Sequence, residues 1–157
     1  MSSEVTVILP DGSERILGPN ATGADLAAEL GARAAREALV AIVDGDQLDL
    51  NRPLPDGANV SLVFPTSEEG LEILRHSTAH VLAQAVLELY PGATFSIGPP
   101  IEDGFYYDFD LPDEQTFSDD DLERISTKMK EIVGNKQPFV RREIQREEAD
   151  SLFADHP

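Results

Sequence analysis

The chain contains no cysteine, which excludes disulfides and thiolate chemistry across its 157 residues and suits a cytosolic, reducing setting. Basic residues are scarce, 12 against 30 acidic, for a net charge of −18. The deficit runs through the chain: −6 over residues 1–65 (four basic, ten acidic) and −12 over residues 66–157 (eight basic, twenty acidic). Neither part is a basic platform for neutralising phosphates. An RNA role would have to rest on a small local site or on a basic partner domain. No window approaches the ~18 uninterrupted apolar residues that a membrane span requires, so no membrane partner is expected. The opening MSSEVTVILPDGSE carries neither a basic leader nor a long apolar stretch, and a secretory signal is not expected there. What the chain does have is 41% hydrophobic residues, enough to bury a core. There is no internal repeat and no low-complexity tract.

The pattern predicts two units. Residues 4–9 read as a strand, Pro10-Asp11-Gly12-Ser13 as a turn, and Glu14–Leu17 as the returning strand of a hairpin. Thr22 is a plausible N-cap for a helix from Gly23 to about Leu30. Leu39–Val43, Leu48–Leu50 and Val60–Phe64 read as three more strands. The order β-β-α-β-β-β fits a small mixed sheet crossed by one helix, an α+β class. A boundary falls at Pro65–Glu69, giving expected domains 1–65 and 66–157. Ser67 then caps a long helix to about Tyr90, Thr94–Ile97 and Phe105–Asp110 read as strands, and Gly98-Pro99-Pro100 as a turn. Ser118 caps a helix over about Asp119–Gly134, with Leu122, Ile125, Met129, Ile132 and Val133 as its buried stripe. Phe139–Ile144 reads as a strand and Glu147–Phe153 as the start of a helix. The pattern stops at Ala154-Asp155-His156-Pro157 with no terminal strand or cap, so the second domain is expected to be truncated.

The clearest chemical constellation is His76-Ser77-Thr78-Ala79-His80 on the long helix. Positions four apart differ by only about 40° round a helix, so the two imidazoles share a face. Leu71, Leu74, Val81, Leu82, Ala85 and Leu89 form an apolar stripe opposite, and Ile73, Ala79, Ala83 and Leu87 lie beside the histidines. The helix is therefore expected to be covered on both sides, with room for a ligand at the small residues. Two imidazoles there could bind a metal, orient a water, or act as acid and base near neutral pH. The plain alternative is a hydrogen-bonded pair of core histidines. A metalloprotease is disfavoured because Ser77 stands where that motif needs Glu. A closed zinc site lacks further ligands, and His156 reads as tail composition.

The second element is Gly98-Pro99-Pro100-Ile101-Glu102-Asp103-Gly104, leading into Phe105-Tyr106-Tyr107-Asp108-Phe109. Glycines bracketing a proline turn let backbone approach a ligand, and an aromatic face could stack a base. Set against that, Phe105, Tyr107 and Phe109 at period two also read simply as core. Asp119-Asp120-Asp121 reads as a solvated helix N-terminus with no catalytic role.

The run Glu69-Gly70-Leu71-Glu72-Ile73-Leu74-Arg75-His76-Ser77-Thr78-Ala79-His80, then Ile97-Gly98-Pro99 and Gly104-Phe105-Tyr106-Tyr107-Asp108, resembles the second domain of bacterial threonyl-tRNA synthetases. Leu9-Pro10-Asp11-Gly12-Ser13 and Val43-Asp44-Gly45 resemble the TGS domain that opens those enzymes. The resemblance implies a ubiquitin-like β-grasp unit over 1–65, followed by an incomplete editing domain with a long central helix. That second domain deacylates tRNA(Thr) charged in error with serine. By motif match, His76 and His80 lie in the editing pocket, positioning water and the 3′-terminal adenosine. Tyr107 matches a pocket residue, and Gly98 and Pro99 the turn nearby. The editing domain of alanyl-tRNA synthetases shares the histidine pair.

The resemblance also implies a lysine and a Cys-x-x-x-His segment, further along the family's chain, that complete the site, and a catalytic core with ATP, magnesium and zinc beyond them. No cofactor or metal is expected within the present residues. The implied partner is the 3′ acceptor end of tRNA(Thr), and the implied enzyme is a cytoplasmic homodimer, joined through that core, that ligates threonine to tRNA. Two rivals remain: a free-standing hydrolase using a metal on His76 and His80, and a non-enzymatic RNA- or ribosome-binding module built on the TGS unit.

Overall fold

In the computed structural model, which describes residues 4–96, 98–138, 140–152 and 154, the first strands form where β-branched residues alternate. Strand β1 (Val5–Ile8) turns through Pro10–Ser13 into β2 (Glu14–Leu17), pairing antiparallel from Val5 opposite Leu17 to Ile8 opposite Glu14. Thr22 then starts helix α1 (Gly23–Leu30) with a reciprocal cap. Its hydroxyl accepts from the Asp25 N–H at 3.3 Å, and the Asp25 carboxylate accepts from the Thr22 N–H at 2.8 Å. Gly31 ends α1, and a second helix follows, α2 (Ala32–Glu37), which the sequence reading did not anticipate. Its signal is weak because α2 buries no residue.

Strands β3 (Val40–Val43), β4 (Asp46–Asp49) and β5 (Ala58–Val63) complete a five-stranded sheet of order β2-β1-β5-β3-β4. The central β1–β5 pair is parallel and the others antiparallel. Inward residues of three strands, Val5, Val7, Ala41, Val43, Ala58 and Val60, enclose Leu26 of α1, and the Leu26 side chain is fully buried. This sheet order with one helix packed across it is a β-grasp-like arrangement, and the whole chain is α+β.

Helix α3 (Glu68–Leu89) begins on Ser67, whose hydroxyl donates to the Phe64 carbonyl at 2.9 Å and accepts from the Gly70 N–H at 3.0 Å. By compactness the chain divides inside this helix, into units Met1–Leu74 and Arg75–Pro157.

In the second unit the expected strand over Phe105–Asp110 is not continuous. The chain forms two short ribbons. Strand β6 (Thr94–Phe95) pairs with β9 (Phe109–Asp110), and β7 (Pro100–Ile101) pairs with β8 (Gly104–Phe105). Residues 106–108 cross between partners, anchored by Tyr106 N–H on the Pro99 carbonyl and Ser96 N–H on the Asp108 carbonyl. Pro100 consequently belongs to a strand, and the turn falls at Glu102–Asp103. After a single turn at Pro112–Glu114 comes α4 (Asp119–Gly134), capped by Ser118 as expected. Ile125 and Ile132 are buried against Ala85, Val86 and Leu111, with Met129 partly so. Leu122 and Val133, expected in that stripe, are 58% and 64% exposed. Each lies roughly 60–80° round the helix from Ile125, at the stripe's edge. Residues 140–144 form no strand, and α5 (Arg146–Leu152) follows. Phe139, Phe153 and Ile97 lie outside the described residues.

Candidate functional site

Helix α3 carries the histidine pair. Its regular geometry over 22 residues sets His76 and His80 one turn apart, with ring centroids 4.8 Å from each other and planes inclined by 45°. The expectation that they share a face is met. The expectation that this face is covered is met in part: Ala79 and Ala83 beside the pair are buried, while both histidines are exposed. Buried on α3 are Ala79 and Ala83 beside the histidines, Ala85 on the expected stripe opposite, and Val86, while Leu71 of that stripe is 42% exposed. The alanines allow the closest approach, and Val81, Leu82, Leu87 and Leu89 pack partly buried around them. Both histidines are exposed, so they are not a packed core pair.

Gly98 and Tyr107 are also brought together. A Cβ at Gly98 would lie 2.3 Å from Tyr107 Cδ2 and 2.5 Å from Cε2, so the tyrosine ring occupies the space that the missing side chain leaves. The ring supplies a packing reason for glycine at this position. Pro99 is exposed, and its carbonyl accepts from the Tyr106 N–H at 3.2 Å. Tyr107 is half-buried, edge-on to Phe95 at 5.8 Å and stacked on Phe109 at 5.0 Å. Tyr107 and Phe109 thus share a face although the strand is broken, and Tyr106 lies 64% exposed. His156 lies outside the described residues.

Sequence reasoning missed Asp121, which was assigned to a solvated cluster. Its carboxylate accepts from the Tyr90 hydroxyl at 2.5 Å and from the Arg124 guanidinium at 2.9 Å. Its second oxygen takes the Ser118 hydroxyl at 2.7 Å and the Ser118 N–H at 3.0 Å. These donors, the Tyr90 hydroxyl foremost, hold the Asp121 carboxyl well below the usual range. Burial, reinforced by the carboxylate, pushes the Tyr90 hydroxyl up. Ser118-x-x-Asp121 is a capping-box spacing, which was the available signal.

Among the described residues no group of three or more His, Asp or Glu side chains is gathered as a metal-ligand set. Zinc sites take three or four protein ligands, and the histidine pair supplies two, so the donors described here do not fit that ion. No helix among the described residues is long and apolar enough to cross a membrane.

Residues 5–64 match the family described as the TGS domain, which agrees with the five-stranded sheet and α1. The fold and this match define residues 5–64 as a TGS domain, followed by further α+β elements. Relatives extend the match to nearly every residue. Threonine–tRNA ligase of Rubrobacter xylanophilus is 47% identical over 152 residues, 97% of this chain and 24% of the relative. The ligase of Geobacter sp. strain M21 is 48% identical over 151 residues, 96% and 23%. That of Bacillus velezensis is 39% identical over 155 residues, 99% and 24%. The chain is homologous to the N-terminal region of bacterial threonyl-tRNA synthetases, and it spans about a quarter of the length of the curated relatives it matches.

Proposed function

We propose that the chain serves as the N-terminal region of a threonine–tRNA ligase, and that residues 66–157 contribute to hydrolytic removal of serine from mischarged tRNA(Thr). The observation that carries this is the exposed pair His76 and His80, 4.8 Å apart on one helix face, in a chain similar over 97% of its length to such a ligase.

The chemistry has a physical reason. Serine and threonine differ by one methyl group, worth only ~1–3 kcal/mol of discrimination, so a second, hydrolytic check raises fidelity where binding alone falls short. Hydrolysis of the aminoacyl ester needs a water held against the carbonyl and the terminal ribose held still. Two adjacent imidazoles serve both needs: one accepts a hydrogen bond from the water while the other holds the 3′-terminal adenosine. Tyr107, beside Gly98 and Pro99, supplies a further hydroxyl for the acylated end.

ATP, magnesium and zinc belong, in this reading, to a catalytic core outside these residues, which also joins the cytoplasmic enzyme as a homodimer. The basic surface that tRNA requires comes from there too, because this chain carries a net charge of −18.

The test is His76→Ala combined with His80→Ala in the full-length ligase. Ser-tRNA(Thr) is expected to accumulate while threonylation continues. An unchanged serine error rate would overturn the editing role and favour a binding module. Stoichiometric zinc in the purified chain, with hydrolysis of simple non-tRNA esters, would favour the metal hydrolase.

A further inference from the structure

The Tyr107 ring is held from three directions. Phe109 stacks on it at 5.0 Å with planes 17° apart. Phe95, which faces Phe109 across the β6–β9 pair, meets it edge-on at 5.8 Å and 64°. Gly98 closes the third direction, since any Cβ there would overlap Cδ2 and Cε2. The tyrosine ring fills the space that a side chain at Gly98 would need, which accounts for glycine there. A tyrosine has two side-chain torsions. Contacts that fix the plane of its ring also fix the line along which its hydroxyl is offered.

We infer that Phe109 and Gly98 are positioning residues for Tyr107, seating its ring so that the hydroxyl is presented in one direction to the acylated end of the tRNA. This rests on the editing role proposed for residues 66–157. Gly98 then acts through the tyrosine and has no contact of its own with substrate, and Phe109 gains a role beyond its share of the apolar cluster around Val86 and Ile125.

A double-mutant cycle in the full-length ligase tests this, with single-turnover deacylation of Ser-tRNA(Thr) as the readout. Phe109→Leu keeps an apolar residue but loses the stack, and Gly98→Ala drives a methyl group into the ring. Each is expected to slow deacylation about tenfold or more, because a displacement of about 1 Å at a reacting centre costs up to about a hundredfold. Phe109→Tyr, which keeps a stacked ring, restores the rate. Combined with Tyr107→Phe, neither Phe109→Leu nor Gly98→Ala costs anything further, since the hydroxyl they place is already gone.

The same fold-loss with and without the Tyr107 hydroxyl would overturn the inference and leave only structural support. So would full activity in Tyr107→Phe alone. Should Phe109→Leu fail to fold, the Gly98→Ala cycle carries the test, because Gly98 lies outside the buried cluster. The double histidine variant, run in parallel, separates the two failures. If it abolishes deacylation while the tyrosine cycle is additive, only the positioning role falls. If it too leaves deacylation intact, the editing reading falls with it.

Discussion

The Tyr90 hydroxyl donates to the Asp121 carboxylate at 2.5 Å, joining the residue just past the end of α3 to the first turn of α4. Asp121 also caps α4 through Ser118, so one carboxylate holds two helices. Its folded-state pKa is lowered, with the Tyr90 hydroxyl as the largest cause. The stabilisation is therefore fully present above the ordinary carboxylate range, about pH 4, and is lost as pH falls through the lowered folded value. Tyr90→Phe is expected to move the Asp121 titration up toward the ordinary range, so that the stability lost on acidification begins at the same pH but is smaller and is complete at a higher pH. Carboxyl-carbon NMR of Asp121 in both proteins measures this, and coincident titration midpoints would refute the bond.

Gly70→Ala is expected to reverse the usual sign of that substitution. In a helix interior alanine normally stabilises by about 0.5–1 kcal/mol over glycine. At Gly70 a Cβ would sit 1.9 Å from the Phe64 carbonyl oxygen, a backbone atom held by the Ser67 hydroxyl. The first turn of α3 has to shift, at an expected cost on the order of 1–3 kcal/mol. Urea denaturation checks it, with exposed Glu72→Ala as a control expected within about 0.5 kcal/mol of the parent.

In the first unit Leu26→Ala is expected to cost about 2–5 kcal/mol, because the side chain is fully enclosed by sheet and helix. Thr22→Ala removes only the cap and is expected to cost about 1 kcal/mol. Denaturation midpoints of the two variants give the order, and a Thr22 loss equal to that of Leu26 would contradict the packing argument.

The 157-residue chain alone is expected to leave Ser-tRNA(Thr) intact over the buffer rate, because it has no cysteine and so lacks the Cys-x-x-x-His segment implied for the complete site. An acid-gel or precipitation assay of released serine decides this. Clear turnover would mean that His76, His80 and their neighbours suffice.

Local signals were legible wherever they were self-contained. The Thr22 and Ser118 caps fixed the starts of α1 and α4, because a cap is made by residues three apart in the chain. Helix α2 was not legible: it has no apolar stripe, and its one regular ion pair, Arg33–Glu37 at 2.9 Å, is a surface contact that alters stability little. The break at Tyr106–Asp108 was hidden because side-chain alternation persists through it while the hydrogen-bonding partner changes from β7 to β6.

The sequence by itself determined that His76 and His80 share a face, that β1 and β2 form a hairpin, and that Ser67 begins a long helix, since each follows from backbone period or turn chemistry within a few residues. Only the tertiary structure decided that those histidines are open to solvent, that Ala79 and Ala83 rather than Leu71 are buried, and that Gly98 makes room for Tyr107. Burial depends on what packs against a residue from elsewhere in the chain, and periodicity names a face without saying what covers it.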